Sequence, residues 1–292
     1  MKKVLVTGKN GYIGNQFKKW IDDNENRIIL EFISIREDNW KNKDFSDYDA
    51  VLHLAGIAHV SRNPKLQDMY YKINRDLTLE VAKKAKKDGV KQFIFMSSII
   101  VYGNKSIGLE NGVITKNTEP VPDDFYGDSK LQAENLLENL QSEEFNIVII
   151  RPPMIYGPES KGNFALLKKY VPLTFLFPHV ENKRSMLFID NLSLFLKLII
   201  LNEDKGIFFP QNKEYVSTSN LVREIAISYK KKIILTTAFN FFILKLSKKI
   251  KLFEKLFGNL AYDHSLSSYK ENYQVVAFNK TISNSILRRS RF

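Results

Sequence analysis

Residues 3–14 read KVLVTGKNGYIG, and this stretch decides the fold. The apolar run at 3–7 predicts a short, buried parallel strand. Gly8, Gly11 and Gly14 follow in the pattern T-G-x-x-G-x-x-G, a variant of the dinucleotide fingerprint. In that pattern the first glycine permits a tight turn, the second lets a pyrophosphate approach the backbone, and the third lets helix pack on strand. The amphipathic segment that follows predicts a helix whose first amides face the phosphates.

Strands and helices are predicted to alternate further along the chain. Strands are expected within 28–35, at 50–56 (AVLHLAG) and at 92–96, with a helix over 68–88. This alternation predicts an α/β fold with a right-handed, doubly wound parallel sheet of the Rossmann type. His53, inside the third strand, is interpreted as a core residue rather than a ligand. Asn74 is polar on an otherwise apolar helix face, and it is expected either to brace a neighbouring strand or to face water.

The end of the second strand bears on the choice of dinucleotide. An acidic residue that binds the adenosine ribose is expected near this position. The sequence there reads Ser34-Ile35-Arg36, and an arginine suits the 2′-phosphate of NADP. Glu31 competes as a ribose ligand if the strand ends earlier, and Arg36 also fits a plain surface charge. The cofactor is therefore expected to be NAD(P)(H), with Arg36 favouring NADP(H).

The stretch 123–130, DDFYGDSK, carries the candidate chemistry. Tyr126 and Lys130 are four residues apart at the start of a predicted amphipathic helix, so their side chains share one face. A nearby ammonium favours the phenolate and is expected to lower the pKa of the phenol. Such a pair exchanges a proton with an alcohol or ketone oxygen. The spacing also occurs by chance in helices, so its meaning depends on the rest of the chain.

The composition of the chain excludes several kinds of site and several classes of protein. The chain has 292 residues, no cysteine and a net charge of +12. A disulfide or a thiolate metal site is excluded, and no metal is expected. No signal peptide or long apolar run is visible, which predicts a cytoplasmic protein. No nucleic-acid-binding module is recognised. Residues 241–292 hold ten Lys/Arg against three Asp/Glu.

A helical stripe near the C-terminus is open to two interpretations. It consists of Phe242, Leu246, Ile250, Phe253 and Phe257, with lysines between. Such a stripe is most often the core of a lobe, but a basic amphipathic helix also suits a membrane surface. Peripheral contact of residues 240–257 with the inner face of the membrane is therefore kept as an alternative. A homodimer is a further expectation.

Three motifs occur together in order: the glycine loop, S-S-x-x-V-Y-G at 97–103 and Y-x-x-x-K at 126–130. The chain thereby resembles the extended short-chain dehydrogenase/reductase family of nucleotide-sugar epimerases, dehydratases and reductases. The resemblance implies that Ser98 orients the substrate hydroxyl, Tyr126 is the acid/base and Lys130 binds the nicotinamide ribose. It implies a Rossmann domain at 1–165 with a returning helix about 189–202, and a substrate lobe at 166–292. The expected cofactor-binding residues are Gly8, Gly11, Tyr12, Ile13, Gly14, Arg36, Leu54, Ala55, Gly56, Asn74 and Lys130.

Departures from the family pattern reduce the number of candidate reactions. The 4,6-dehydratases place Asp-Glu where this chain has Ile99 and Ile100, and isoleucine neither donates nor accepts a proton, so a dehydratase is excluded. The 4-epimerases carry an asparagine in the region that here reads Pro-Pro-Met at 152–154, which weakens that alternative. The resemblance also implies that Asn163 and Arg184 bind the diphosphate of a UDP-sugar substrate.

A narrower resemblance points to one group within the family. The phrases KQFIFMS (91–97), RPPMIYG (151–157), GNF (162–164) and KLFGNL (255–260) resemble staphylococcal capsular-polysaccharide enzymes. That group implies reduction of a UDP-4-keto-6-deoxy-N-acetylhexosamine to a UDP-N-acetyl-fucosamine-type sugar. A UDP-hexose 4-epimerase remains the alternative. A dinucleotide-binding sensor or assembly protein without catalysis is an alternative of another class.

Overall fold

The computed structural model describes residues 1–58, 63–103, 112–238, 240 and 257–287 of the chain. The strands in these ranges are β1 (Lys2–Thr7), β2 (Ile28–Ile33), β3 (Ala50–His53), β4 (Gln92–Met96), β5 (Val113–Ile114), β6 (Asn146–Ile150), β7 (Met154–Tyr156), β8 (Leu176–Pro178), β9 (Met186–Phe188), β10 (Gly206–Phe208), β11 (Ile234–Thr236) and β12 (Ala261–Tyr262). Six of them form one parallel sheet in the order β2-β1-β3-β4-β6-β10. The predicted Rossmann-type α/β fold is therefore confirmed.

Helices connect most of these strands. They are α1 (Tyr12–Asn24), α2 (Gln67–Tyr70), a π-helical segment (Tyr71–Leu77), α3 (Thr78–Lys87), α4 (Phe125–Glu138), α5 (Asn163–Tyr170), α6 (Ile189–Leu201), α7 (Thr218–Ser228) and α8 (Phe278–Leu287). The helix predicted over 68–88 is confirmed to within a few residues, as α2, the π-helical segment and α3 in succession. The π-helical segment was not predicted, and such segments are frequent at functional sites.

The sheet has a hydrophobic core on each face. Val4 and Val6 of β1 belong to the core that includes residues of α1 and α6, whereas Leu5 belongs to the core that includes residues of α3 and α4. This division follows because successive side chains of a strand point to opposite faces. Strands that are covered on both faces read as continuous apolar runs, which is why 3–7 could be recognised from sequence.

The strand register sets where the functional segments begin. Thr7 of β1 lies opposite His53 of β3, and Met96 of β4 lies opposite Ile150 of β6. The carboxyl ends of these four strands therefore share one edge of the sheet, and the strand order reverses between β1 and β3. Ligands of open α/β sheets bind outside the carboxyl ends at such a reversal. The segments that leave this edge begin at Gly8, Leu54, Ser97 and Arg151.

The second half of the chain adds a lobe and then returns to the sheet. Three small parallel pairs, β7 with β9, β8 with β11 and β5 with β12, lie outside the main sheet. Helix α6 packs on α1, and β10 adds to the sheet beside β6. The returning helix is thus where it was expected. The domain boundary at residue 165 stays a prediction.

Candidate active site

The glycine loop between β1 and α1 packs closely against the end of β3. Gly8 has a φ of +88°, and a Cβ atom there would lie 3.0 Å from the Ala55 amide nitrogen. Side chains other than glycine rarely adopt that backbone conformation. A Cβ atom on Gly14 would lie 3.0 Å from the Phe32 ring of β2, which is the close helix–strand packing that was predicted. Gly11 is the N-cap of α1 and offers no side-chain cap, so the first amides of the helix are left for an anion.

The first two residues of α1 face the interior. The Tyr12 hydroxyl is buried and has no hydrogen-bond partner within the described residues. Burial raises the pKa of Tyr12 above its ordinary value, with a smaller contribution from Asp190. A Cβ atom on Gly157 would lie 2.8 Å from this hydroxyl, so the glycine makes room for the tyrosine ring. Ile13 packs against the sheet core. Direct contact of either residue with a cofactor stays a prediction.

Asn74, in the π-helical segment, braces the loop that follows β3. Its side-chain oxygen accepts from the Ile57 amide at 2.9 Å, and its nitrogen donates to the Ile57 carbonyl at 3.1 Å and to Ser129 Oγ at 3.2 Å. A Cβ atom on Gly56 would lie 3.0 Å from the Asn74 side-chain oxygen. Asn74 is fully buried and so does not face water. It holds the shape of the Leu54-Ala55-Gly56 segment, and its own contact with a cofactor stays a prediction.

His53 is a core residue, as predicted. Its Nδ1 lies 3.0 Å from Thr7 Oγ1, and its Nε2 lies 3.1 Å from Thr78 Oγ1. The Thr78 hydroxyl donates to the Asn74 carbonyl at 2.9 Å, so it must accept from His53 Nε2. This assigns the neutral tautomer that carries its proton on Nε2. Burial lowers the pKa of His53 to about 3, so it stays neutral at physiological pH.

The predicted catalytic residues come together at the sheet edge. Tyr126 and Lys130 lie at the start of α4, which Asp124 caps by accepting from the Gly127 amide at 2.9 Å. The Tyr126 hydroxyl is hydrogen-bonded to Ser98, which follows β4. The Lys130 ammonium donates to the carbonyl of Met96 at 2.9 Å. The structure thus places a phenol, a hydroxyl and an ammonium at the ends of β3 and β4.

The predicted lowering of the Tyr126 pKa is wrong. Burial raises the pKa of Tyr126 to about 12, and the group that lowers it is Ser98 rather than Lys130. Sequence spacing does not report the depth of burial, which is the largest cause of this shift. Burial also lowers the pKa of Lys130 to about 8, and the carboxylate of Glu134 opposes that shift. At neutral pH the phenol is therefore a proton donor.

A buried ion pair beside the catalytic residues was not predicted. Glu134, one turn after Lys130 on α4, receives Arg151 Nε at 3.0 Å and Nη2 at 2.6 Å on one oxygen. Its other oxygen accepts from the Ser97 hydroxyl, and Arg151 Nη1 donates to the Tyr102 hydroxyl at 2.7 Å. The pair joins α4 to the ends of β4 and β6. The signal that could have found it is a carboxylate on the buried face of α4, where helical periodicity calls for an apolar residue.

The end of β2 favours Arg36 over Glu31 as the residue that meets the adenosine ribose. Glu31 lies within β2 and is paired with Lys43, which lowers the pKa of Glu31. The strand ends at Ile33, and Arg36 is exposed three residues later. Within the described ranges the Arg36 guanidinium makes no ion pair, whereas Glu31 is already compensated.

Asn163 and Arg184 line one cavity in the lobe, while their predicted contact with a diphosphate stays a prediction. The cavity is small, about 20 Å³, and opens to solvent. Its lining residues come from α5, α7 and the segments beside β7 and β9: Met154, Asn163, Leu167, Arg184, Met186, Val216, Ser217, Thr218 and Leu221. Asn163 is the first residue of α5 and is exposed. Ser98, Tyr126 and Lys130 are not among the lining residues.

Arg184 is a half-buried cation without an ion-pair partner in the described parts of the chain. Its backbone pairs with Val216, and its Nη1 donates to the Gly258 carbonyl at 3.0 Å. Burial lowers the pKa of Arg184 to about 10. The predicted contact of Arg184 with a diphosphate stays a prediction.

Some predictions concern residues that the structure does not describe, and others concern metal sites and membrane-spanning helices. Phe242, Leu246, Ile250 and Phe253 of the C-terminal stripe lie outside the described residues; Phe257 is described and packs on Phe177 with ring centroids 6.0 Å apart. In the described ranges, no cluster of His, Asp or Glu that could hold a metal is found. No helix there is both long and apolar enough to cross a bilayer.

Comparison with known proteins gives the same picture as the glycine loop and the Ser-Tyr-Lys cluster. Residues 4–192 match the model of the NAD dependent epimerase/dehydratase family. The chain is 32% identical over 255 residues to a UDP-glucose 4-epimerase of Vibrio cholerae, covering 79% of this chain and 76% of that protein. It is 29% identical to an N-acetyl-alpha-D-glucosaminyl-diphospho-ditrans,octacis-undecaprenol 4-epimerase of Escherichia coli O157:H7, covering 79% and 73%.

A solved structure extends the similarity of fold to almost the whole chain. A dTDP-4-dehydrorhamnose reductase of Clostridium acetobutylicum superposes with a TM-score of 0.73, covering 98% of each chain at 17% identity. The fold and site define an NAD-dependent enzyme of the nucleotide-sugar epimerase and reductase class. This chain belongs to the NAD dependent epimerase/dehydratase family.

Proposed function

We propose that this protein is an NAD(P)H-dependent reductase that acts on C4 of a UDP-4-keto-6-deoxy-N-acetylhexosamine. The product is a UDP-N-acetyl-fucosamine-type sugar for surface polysaccharide synthesis. The observation that carries the proposal is the buried Tyr126 phenol, hydrogen-bonded to Ser98 at the sheet edge in its proton-donating form. Reduction of a ketone starts from that form, because the forming alkoxide must receive a proton.

The residues at the sheet edge fit a dinucleotide. The first amides of α1 have no side-chain cap and are available to the pyrophosphate. Gly8 packs closely against the Ala55 backbone, where a side chain would not fit. Lys130, whose ammonium lies close to Gly56, is placed to hold the nicotinamide ribose. Arg36 is the candidate partner of a 2′-phosphate, which favours NADP(H). The bound dinucleotide supplies the hydride.

The protein's own part in the reaction is to hold and protonate the sugar. Ser98 donates a hydrogen bond to the C4 oxygen, and Tyr126 gives that oxygen its proton as the C4–H bond forms. One carbonyl becomes one secondary alcohol, and the phenolate of Tyr126 then regains a proton from water. The Glu134–Arg151 pair holds α4 against the ends of β4 and β6, so that the phenol and Ser98 keep their relative positions.

The diphosphate of the substrate is assigned to the lobe cavity. Arg184 presents a half-buried positive charge there, and Asn163 adds a side-chain amide from the first residue of α5. A guanidinium binds phosphate oxygens through paired hydrogen bonds and holds them in one orientation. The apolar wall, which includes Met154 and Met186, excludes water from the contact.

A UDP-hexose 4-epimerase is the second candidate, favoured by the names of the two relatives that cover most of the chain. It uses the same tyrosine, but its first step takes a proton from a C4 hydroxyl. A phenol whose pKa is raised to about 12 is poorly suited to that step. The region that carries an asparagine in epimerases holds two buried prolines and Met154, which lines the cavity.

Product analysis tests the proposal. The purified protein is incubated with UDP-4-keto-6-deoxy-N-acetylhexosamine and either NADH or NADPH, and separately with UDP-glucose and UDP-N-acetylglucosamine. A reductase oxidises one reduced nicotinamide per sugar and gives a product two mass units heavier. An epimerase gives an isomer with no net cofactor oxidation. Tight cofactor binding without turnover of any sugar would instead favour a sensor.

A further inference from the structure

The lobe carries an unusual concentration of exposed apolar side chains. Among the described residues, thirteen large hydrophobic side chains are exposed; seven of them lie within 166–175 and 227–234, and six of these seven are more than half exposed. We name this surface the α5–β11 face; it consists of Leu166, Tyr170, Leu173, Phe175, Ile227 and Ile234. Leu173 and Phe175 are 79% and 75% exposed, close to the exposure of a free chain. Single exposed apolar residues are ordinary, but a group of this kind marks an interaction surface.

The six side chains are neighbours in the fold as well as in sequence. Leu166 and Tyr170 are one turn apart on α5, and a short 3-10 helix leads directly from Tyr170 to Leu173. The backbone of Phe175 accepts from the Ile234 amide at 2.9 Å, where β8 and β11 pair. Ile227 lies near the end of α7, which packs on α5 and on the 3-10 helix. The elements that carry the six side chains therefore adjoin one another in the lobe.

The charged residues within the two stretches that carry this face are all basic, and Glu224, three residues before Ile227 on α7, lies just outside them. Residues 163–175 contain Lys168 and Lys169, residues 226–236 contain Lys230, Lys231 and Lys232, and neither stretch contains an Asp or Glu. Four of these lysines are exposed; the half-buried Lys168 donates to the Ser285 carbonyl at 3.4 Å. Leucine and phenylalanine mixed with lysine is the composition of surfaces that lie in the headgroup region of a bilayer. Anionic lipid complements the lysines, whereas a protein partner would have to supply its own carboxylates.

The face adjoins the cavity that is assigned to the diphosphate. Helix α5 contributes Asn163 and Leu167 to the cavity and Leu166 and Tyr170 to the face. Helix α7 similarly contributes residues of its first turn to the cavity and Ile227 to the face. A partner surface that binds α5 and α7 would therefore lie next to the cavity.

We propose that the α5–β11 face docks on the surface of an anionic phospholipid bilayer. Leu173 and Phe175 enter the headgroup region, and the lysines of 230–232 contact lipid phosphates. This goes beyond the proposed reaction and does not depend on which sugar is used. It also places the contact on described residues of the lobe rather than on residues 240–257.

Flotation with vesicles tests the docking. The full-length protein is mixed with vesicles of phosphatidylglycerol and phosphatidylcholine, or of phosphatidylcholine alone, at low salt. Binding is expected only to the anionic vesicles and is expected to weaken as salt rises. The double substitution Leu173→Glu/Phe175→Glu should lower the partition coefficient by about 10- to 100-fold, because two apolar side chains no longer leave water. Ile29→Glu/Val275→Glu, which changes two exposed apolar residues elsewhere, should leave binding unchanged.

A lysine series gives an independent measurement. Lys230→Gln/Lys231→Gln/Lys232→Gln should lower partitioning on the order of 100-fold, at roughly one kcal/mol per lysine near the surface. The matched control is Lys83→Gln/Lys86→Gln/Lys87→Gln on α3. Turnover of soluble sugar nucleotide should be unchanged in both series. Equal binding of the parent protein to neutral and anionic vesicles would overturn the proposal.

The same variants distinguish docking by this face from two alternatives: membrane contact through residues 245–251, and a dimer interface at the face. If substitution of the lysines in 245–251 abolished flotation while Leu173→Glu/Phe175→Glu did not, the membrane contact would lie in that segment and the proposal would be wrong. If the parent sedimented as a dimer in the ultracentrifuge and Leu173→Glu/Phe175→Glu as a monomer, the face would be an interface between two copies. Flotation of the parent protein combined with unchanged sedimentation of the variant supports docking.

Discussion

Two arginines, the buried Arg151 and the half-buried Arg184, differ in how the described parts of the protein compensate their positive charge. Arg151, at the sheet edge, places two nitrogens on Glu134 at 3.0 and 2.6 Å and a third on the Tyr102 hydroxyl. Arg184, in the lobe cavity, has one side-chain hydrogen bond, to a backbone carbonyl, and no ion pair among the described residues. Arg151 is buried and Arg184 is half-buried, and among the described residues only Arg151 has a carboxylate partner.

The difference separates a structural charge from a binding charge. Burial of a cation costs free energy unless an anion and hydrogen bonds compensate it. At Arg151 the protein supplies that compensation itself. At Arg184 the lowered pKa, about 10, reflects burial without a compensating charge. Under the proposed function, a bound diphosphate would supply the charge that Arg184 lacks among the described residues.

The largest expected effect concerns the chemistry at the sheet edge alone. Tyr126→Phe removes the proton donor, so kcat should fall about 10²–10⁴-fold, the usual contribution of general acid catalysis. That corresponds to roughly 3–5 kcal/mol of transition-state stabilisation. Cofactor affinity should be nearly unchanged, since only a hydroxyl is lost. Steady-state kinetics and cofactor titration measure the two quantities.

A matched tyrosine on a neighbouring element controls for loss of a phenol. Tyr71 donates to Asp128 at 2.6 Å, outside the Ser98–Tyr126 contact. Tyr71→Phe should keep kcat within about threefold of the parent, as expected of a surface-network change. Turnover of keto-sugar by Tyr126→Phe at the parent rate would remove Tyr126 from the mechanism.

The next prediction compares the contributions of the two arginines to the free energy of unfolding. Arg151→Leu leaves Glu134 as an unpaired buried carboxylate, so the free energy of unfolding should fall by about 3–5 kcal/mol. Arg184→Leu removes an uncompensated charge and should change it by no more than about 1 kcal/mol. Urea denaturation of both variants makes the comparison. Lys18→Gln, which breaks the exposed Lys18–Asp22 pair, should cost less than about 0.5 kcal/mol.

Much of the fold could be predicted because its signals are local. The apolar run before Gly8 and the spacing of the glycines require nothing from distant residues. The lobe is different: β5 and β12 have two residues each, and β8 pairs with β11 across more than fifty residues of chain. Strands so short leave no periodic pattern, and their pairing depends on tertiary contacts.

Site residues that belong to a sequence motif could be predicted. Residues that meet only because distant segments come together in the fold could not. Ser98, Tyr126 and Lys130 lie together as their motifs imply. Glu134 and Arg151 come from different elements, and only the strand register brings them into contact. The direction of the Tyr126 pKa failed for a related reason: spacing along a helix reports which charges are near but not how much water remains.

A smaller effect is expected at the lobe cavity, on binding rather than on chemistry. Arg184→Ala should raise the KM for the UDP-sugar about 10- to 100-fold, because a charge-assisted hydrogen bond is worth roughly 1.5–3 kcal/mol. The kcat should change less, since the diphosphate is held equally in the ground and transition states. Arg184→Lys should restore part of the affinity. A fall in kcat at constant KM would place Arg184 near the reacting carbon and contradict the assignment of the cavity.

The smallest effect is a pH dependence at Lys130, where the compensation from Glu134 is incomplete. The folded pKa of Lys130 is about 8, below the ordinary 10.5. Between these values the unfolded chain binds more protons than the folded one, so this group makes the free energy of unfolding rise with pH. Below about pH 8 both states are protonated and the burial cost is fully present.

Cofactor binding should move in the opposite direction across the same pH range. If the Lys130 ammonium binds the ribose, kcat/KM for the cofactor should fall above about pH 8, approaching tenfold per pH unit as the ammonium is lost. Glu134→Gln removes the carboxylate that raises the Lys130 pKa, so the break should shift to lower pH. Lys130→Met should abolish the break. A profile that is the same in all three proteins would show that the titrating group is not Lys130, and that Glu134 acts on Arg151 alone.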